Sequence, residues 1–70
     1  MNGENERYLR DHSLELSRRY AGKIVAVVDG ELAAVADNRV EAYKEARERF
    51  PAGKVCFDYF PTEKERNLLL

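Results

Sequence analysis

The chain has 70 residues, and its 12 Lys and Arg nearly balance its 13 Asp and Glu, giving a formal net charge of −1. This length predicts one domain over 1–70, with a structured core at about 5–66 and terminal segments at 1–4 and 67–70. The composition argues against a membrane-spanning helix, a signal peptide, an intrachain disulfide and a general nucleic-acid binder. A single Cys is typical of a protein of the reducing cytoplasm.

The first predicted element is a helix over Asn5–Tyr20, where apolar residues recur at helical spacing. Gly22 follows a basic final turn, which is a common helix ending. A helix in two pieces is the alternative, because Ser13 is a favoured N-cap type and could restart the helix after a kink.

A β-hairpin is predicted next, with strands at Ile24–Val28 and Glu31–Ala36. The dipeptide Asp29–Gly30 between them is typical of a type I′ turn. A two-residue loop of this kind predicts a regular register that ends with Ile24 opposite Val35. Both faces of this hairpin would then be apolar, although an antiparallel sheet usually exposes one polar face.

A second helix is predicted over Arg39–Phe50, since Asn38 and Glu41 resemble a capping box at its start. Pro51 and Gly53 end it. The apolar stripe of this helix is expected at Val40, Tyr43, Ala46 and Phe50.

The third predicted strand is Lys54–Phe60, and the following Pro61 stops it. Its successive side chains point alternately to the two faces of the sheet. Thr62 and Glu65 form another capping-box pattern, which predicts a short last helix. The chain finishes with three apolar residues, which could pack on the core or dock on another chain: Leu68, Leu69 and Leu70.

The motifs that could carry chemistry have simpler structural interpretations. Gly22–Lys23 and Gly53–Lys54 do not fit a phosphate-binding loop, because each follows a helix and precedes Ile or Val. His12 lies on an apolar stripe and is interpreted as a packed or half-exposed helix residue, with a general base as the alternative. Cys56 is interpreted as a buried or half-buried small apolar residue, with a nucleophile as the alternative. Asp58 is interpreted as facing water or protecting a strand edge, with a role in binding a ligand as the alternative.

The order of these features resembles a family of short prokaryotic, largely archaeal proteins that form a domain of unknown function. The resemblance lies in Tyr20–Lys23 at the helix end, the Asp29–Gly30 hairpin and the closing Phe60–Glu63. It covers about residues 8–66. The family brings no established catalytic residues that could be carried over to this chain.

The predicted fold is a small α+β domain in the order α-β-β-α-β, with a three-stranded mixed sheet and its first strand in the middle. Both long helices are expected on one face of that sheet. The opposite face would then lack cover within the chain, and with the terminal leucines it is the predicted interface. Its residues are Ile24, Ala26, Val28, Ala33, Val35, Leu68, Leu69 and Leu70.

Two functional classes follow from these predictions. The first is a protein-interaction module, such as a small adaptor or an antitoxin-like partner, acting as a homodimer or on another protein. No catalytic set, cofactor, metal or membrane is expected. The alternative is a small ligand-binding or enzymatic domain with a pocket around Tyr8, His12, Tyr43 or Asp58.

Overall fold

A computed structural model of the chain describes residues 3–69, without the side chains of Arg66, Leu68 and Leu69. The predicted order of helices and strands is confirmed, and the fold belongs to the α+β class. No helix among these residues is both long enough and apolar enough to cross a membrane. The elements are α1 (Gly3–Asp11), α2 (Ser13–Arg19), β1 (Ile24–Val28), β2 (Glu31–Ala36), α3 (Arg39–Arg49), β3 (Val55–Tyr59) and α4 (Glu63–Leu69).

The N-terminal helix forms in two pieces that meet at His12, which agrees with the alternative given by the sequence. His12 leaves helical geometry with φ −110° and ψ 11°. The Ser13 hydroxyl donates back to the carbonyl of Arg10 at 3.2 Å, so it bridges the two pieces and does not cap α2. The Leu16 side chain of α2 is buried, which anchors the second piece to the core.

The turn of the β1–β2 hairpin has the predicted type I′ character. Asp29 has φ 52° and Gly30 has φ 75°, and this turn requires positive φ at both central positions. Asn or Asp and then Gly are the residues that adopt such angles with least strain. At the open end of the hairpin, Lys23 Nζ forms an ion pair with Asp37.

A β-bulge changes the predicted register of this hairpin. The two pairs next to the turn are as predicted, but from Ala26 onwards the pairing slips by one residue, because Ala33 is bulged out of the ladder. Ile24 therefore lies opposite Ala36 and not Val35. An extra residue inverts the alternation of side chains beyond it, and this is a feature that turn length alone does not predict.

The three strands lie in the order β2-β1-β3, so β1 is central, as predicted. Both of its pairings are antiparallel. The sheet is therefore antiparallel, and the prediction of a mixed sheet was wrong. The outer strands do run parallel to each other, since each opposes β1, but β1 separates them and they form no parallel pair.

The helices cover opposite faces of the sheet, so the prediction that both lie on one face was wrong. Buried residues of α3 pack with Ala26 and Val28 of β1, whereas Leu16 of α2 packs with Val25 of the same strand. Successive residues of a strand point to opposite faces. The apolar character of both hairpin faces is thereby explained, because each face has its own helical cover.

The contact between α3 and the sheet is built from alanines. Ala42 and Ala46 have no exposed surface, and they pack on a surface of β1 and β2 that is itself rich in alanine. Small side chains on both sides let a helix approach a sheet closely, which leaves room for larger residues only at the helix flanks. Val40 and Tyr43 accordingly stay 65% and 46% exposed, and their prediction as stripe residues was wrong.

Candidate functional site

The face predicted as an interface is occupied by the chain itself. Ala26, Val28 and Ala33 are fully buried beneath α3, and Ile24 packs against the same cluster. Val35 points to the other face and packs with the cluster of α2, because the bulge inverts its orientation. The predicted contributions of Leu68, Leu69 and Leu70 lie outside the described side chains.

Only two of the four residues proposed for a ligand pocket come together. The rings of Tyr8 and His12 lie 4.4 Å apart in an open groove between α1 and the hairpin turn. Burial, and then the charge of Glu15, raise the pKa of Tyr8. Tyr43 lies on α3, across the sheet, and Asp58 lies at the end of β3 far from the turn. Within residues 3–69, no three His, Cys, Asp or Glu side chains are grouped to hold a metal ion.

Asn5 was missed by the sequence interpretation, although it is the most buried polar side chain described. Its Oδ1 accepts from the Gly30 amide at 2.8 Å, and its Nδ2 donates to the Lys54 carbonyl at 3.0 Å and to Cys56 Sγ at 3.4 Å. It therefore ties α1 to both the hairpin turn and the beginning of β3. A polar residue in the first turn of an amphipathic helix carries no sequence signal for this role.

β3 is the most exposed strand of the sheet. Asp58 and Tyr59 are exposed, and the other three residues of the strand are half-buried. β3 is the last strand in the order β2-β1-β3, so one of its edges has no strand partner within residues 3–69. An edge strand of this kind can pair with another chain.

The hydrogen bonds around β3 show which backbone groups point outward. The Phe60 carbonyl accepts from the amide of Gly22, just before β1, at 2.6 Å. The Lys54 carbonyl accepts from Asn5, which also holds the Gly30 amide in the turn directly after β1, so both carbonyls lie on the β1 side of the strand. The Tyr59 amide instead donates to the carboxylate of Asp58 at 2.8 Å. Since alternate residues of a strand share a direction, the backbone groups of residues 55, 57 and 59 point away from β1.

Asp58 protects one end of this edge, which agrees with its sequence interpretation as an edge guard. Its Oδ1 accepts a hydrogen bond from the outward amide of Tyr59, which is then not available to another strand. An inward or edge carboxylate is one of the devices by which proteins discourage strand pairing. The protection is local, because the outward groups of Val55 and Phe57 lie beyond the reach of this short side chain in the direction of the strand start.

Aromatic side chains border the same edge on the side of α3. Phe57 packs against the alanine-rich cluster, and the Arg39 guanidinium lies 5.8 Å from its ring centroid. Tyr59 is 41% exposed. Its register partner in β1 is Ile24, which is half-buried against the same cluster. The result is an open strand edge with two aromatic rings along one side.

The segment after β3 is held by a capping box, as predicted. The Thr62 amide donates to Glu65 Oε1 at 3.0 Å, and the Glu65 amide donates to Thr62 Oγ1 at 3.1 Å. The Tyr59 hydroxyl donates to the same Glu65 oxygen at 2.5 Å. These bonds lower the pKa of Glu65, with the Tyr59 hydroxyl as the main cause, and the same bond raises the pKa of Tyr59.

Residues 15–63 match the model of a family of unknown function, DUF5678, and the chain belongs to that family. The match covers most of α2, the three strands and α3, and it leaves α1 with Asn5 outside. A search of curated proteins finds no match, and neither does a search of solved structures.

Proposed function

We propose that this member of the DUF5678 family is a protein-interaction module, of the adaptor or antitoxin-like kind, that binds a strand of its partner along β3. The observation that carries the proposal is the outward direction of the Val55 and Phe57 backbone groups at an edge without a strand partner among residues 3–69. Strand addition satisfies such groups with main-chain hydrogen bonds, and alternate side chains supply the specificity.

The side chains along β3 support this mode of binding. On the α3 side an added strand would contact Phe57 and Tyr59, and aromatic residues are frequent anchors of protein interfaces. On the other side it would contact Cys56 and Asp58. The partner strand is therefore expected to be apolar on one side and polar on the other.

The setting is part of the same proposal. We expect the module to act in a cytoplasm, where the half-buried Cys56 would stay reduced. The prokaryotic, largely archaeal distribution of the family stays a prediction from the sequence pattern.

Photo-cross-linking in the cells of origin tests the proposal. A benzoylphenylalanine placed at Tyr59 is expected to give a defined cross-linked product, since this ring borders the β3 edge. The same group at Leu14, which is 65% exposed on α2, is expected to give none. Leu14 is the right comparison, because it is another exposed apolar side chain that lies away from β3.

A backbone-specific variant completes this test. Val55→Pro removes an outward amide at the first residue of an edge strand, a position where Pro is tolerated. Val55→Ala removes a similar part of the side chain and keeps the amide. The product is expected to drop at least tenfold in Val55→Pro and to persist in Val55→Ala. A product that survives Val55→Pro, or that forms only from Leu14, would refute binding at this edge.

A further inference from the structure

We infer that the partner at the β3 edge is a second copy of this chain, an inference that rests on the proposed function and names its partner. The two copies of β3 would pair antiparallel around a two-fold axis at Phe57. Val55 of each copy then lies opposite Tyr59 of the other, and Cys56 lies opposite Asp58. The two sheets would join into one continuous sheet with both copies of α3 on the same side.

The backbone directions of β3 fit this register. The groups that point away from β1 belong to Val55, Phe57 and Tyr59, and these are the residues that face one another across the axis. Directly opposed residues of this kind exchange both of their N–H···O=C bonds. The Asp58 carboxylate has to release the Tyr59 amide before this amide can bond to the second copy. The Asp58 side chain therefore opposes the pairing until that exchange occurs.

The side chains fit the same register. On the α3 side it brings Phe57 against its own copy and Tyr59 against Val55, and aromatic pairs and aromatic–β-branched pairs are favourable across strands. A register displaced by two residues towards the strand end would place Asp58 against its own copy and Pro61 against Val55. Opposed like charges and the missing amide of proline disfavour that arrangement. In the Phe57-centred register, a two-fold axis makes the pairing of Tyr59 with Val55 twice, which is how a self-complementary patch favours a closed dimer over an open chain.

A designed disulfide tests both the partner and the register. In the inferred dimer, Asp58→Cys places a thiol opposite Cys56 of the other copy, at a non-hydrogen-bonded pair whose Cα atoms are about 4.5 Å apart. This spacing allows a disulfide. Oxidation with diamide is expected to convert Asp58→Cys into a covalent dimer, seen as a doubled mass after denaturation without reductant. The wild-type chain and the double variant Cys56→Ser/Asp58→Cys carry one thiol each and are expected to stay uncross-linked.

Sedimentation of the wild-type chain at micromolar concentration is expected to give a dimer, and Val55→Pro a single chain. Equal cross-linking in the wild type or in the double variant would contradict the Phe57-centred register. A wild type that sediments as one chain, with no disulfide in Asp58→Cys, would refute the second copy as partner. The proposed function would survive that result if Tyr59 in cells cross-links to a different protein, and it would fail as well if Tyr59 gives no product.

Discussion

The two outer strands of the sheet, β2 and β3, differ in burial and in the protection of their edges, although each pairs only with β1. Three alanines of β2 are buried beneath α3, a bulge interrupts its regular edge, and the Arg49 guanidinium donates to the Ala33 carbonyl at 3.2 Å. β3 ends in two exposed residues, and Asp58 protects one amide of its edge. A bulge discourages pairing along an edge, so we call β2 the closed strand, which serves the core, and β3 the open strand, which we propose binds a partner.

The two strands also differ in how they are attached to the rest of the fold. β2 follows β1 through a two-residue turn, so the chain connection itself places the two strands side by side. β3 arrives after α3, far along the chain, and its beginning is held by Asn5 from the opposite end of the sequence. Substitutions in the two strands are thus expected to have effects of different size.

The largest effect is expected from a charge in the closed strand. Ala33 has no exposed surface, so Ala33→Glu would bury a carboxylate without a partner at a cost of several kcal/mol, on the order of the whole stability of a small domain. We expect loss of the cooperative urea transition followed by circular dichroism. The sequence analysis placed Ala33 in a predicted interface, whereas its burial makes this substitution a test of the monomer's core.

The matched change in the open strand is Asp58→Ser, studied in dilute solution where single chains prevail. Its side chain is exposed, so the free energy of unfolding is expected to change by no more than about 0.5 kcal/mol. If Ala33→Glu unfolded with a midpoint close to that of the wild type, the covering of β2 by α3 would be disproved.

The next effect concerns the attachment of β3. Asn5→Ala removes the partners of the Gly30 amide and the Lys54 carbonyl, which is expected to cost about 1–3 kcal/mol. Glu6→Ala, an exposed neighbour on the same helix, serves as the control and should be nearly neutral. Urea midpoints decide between them, and equal midpoints for the two variants would show that Asn5 does not hold β3 in place.

A smaller effect is expected from the closed edge itself. Arg49→Met keeps most of the apolar stem but removes the bond to the Ala33 carbonyl, so a loss of about 0.5–1.5 kcal/mol is expected. Glu48→Gln, also exposed on α3, is the control. Amide hydrogen exchange in β2 should accelerate in the first variant alone, and unchanged exchange there would mean that the bulge needs no help from Arg49.

Local signals in the sequence were enough for most of the fold. The Asp29–Gly30 turn, the capping residues Asn38 and Thr62 and the element order depend on neighbouring residues, and each was predicted. The position of α3 was not, because a helix of alanines and charged residues shows little difference between its faces. The bulge at Ala33 also leaves no signal, since adjacent alanines fit either register.

These two omissions led the sequence analysis to the wrong surface. With both helices assigned to one face, the other face of the hairpin had to be bare, and Ala26 and Val28 became interface candidates. Because Ala26 and Val28 are buried under α3, the edge of β3 is the better candidate for a binding surface. The protection of the strand edge by Asp58 could be predicted from the sequence, because Asp is uncommon in strands and its presence in an apolar one indicates a specific role. The role of Asn5 was not, because it depends on three contacts distant in sequence.

The smallest effect is expected at the end of the open strand, where Tyr59 donates to Glu65. Their bond lowers the pKa of Glu65 from its ordinary 4.5 and raises the pKa of Tyr59 from its ordinary 10.0. A lowered carboxyl pKa contributes stability above pH 4.5, and this is lost as the pH falls through the folded value. A raised phenol pKa contributes stability below pH 10, and this is lost as the pH rises through the folded value. The link should therefore act between these limits.

Glu65→Gln is expected to return the pKa of Tyr59 towards 10.0 while leaving β1, β2 and α3 unchanged. The phenolate absorbance near 295 nm measures this titration, and the difference between the wild type and Tyr59→Phe isolates Tyr59 from the other three tyrosines. Because both groups are exposed, the urea midpoint at neutral pH is expected to move little. A Tyr59 titration that is the same in Glu65→Gln and in the wild type would show that the end of β3 is not tied to α4, and the open strand would then end freely at Asp58.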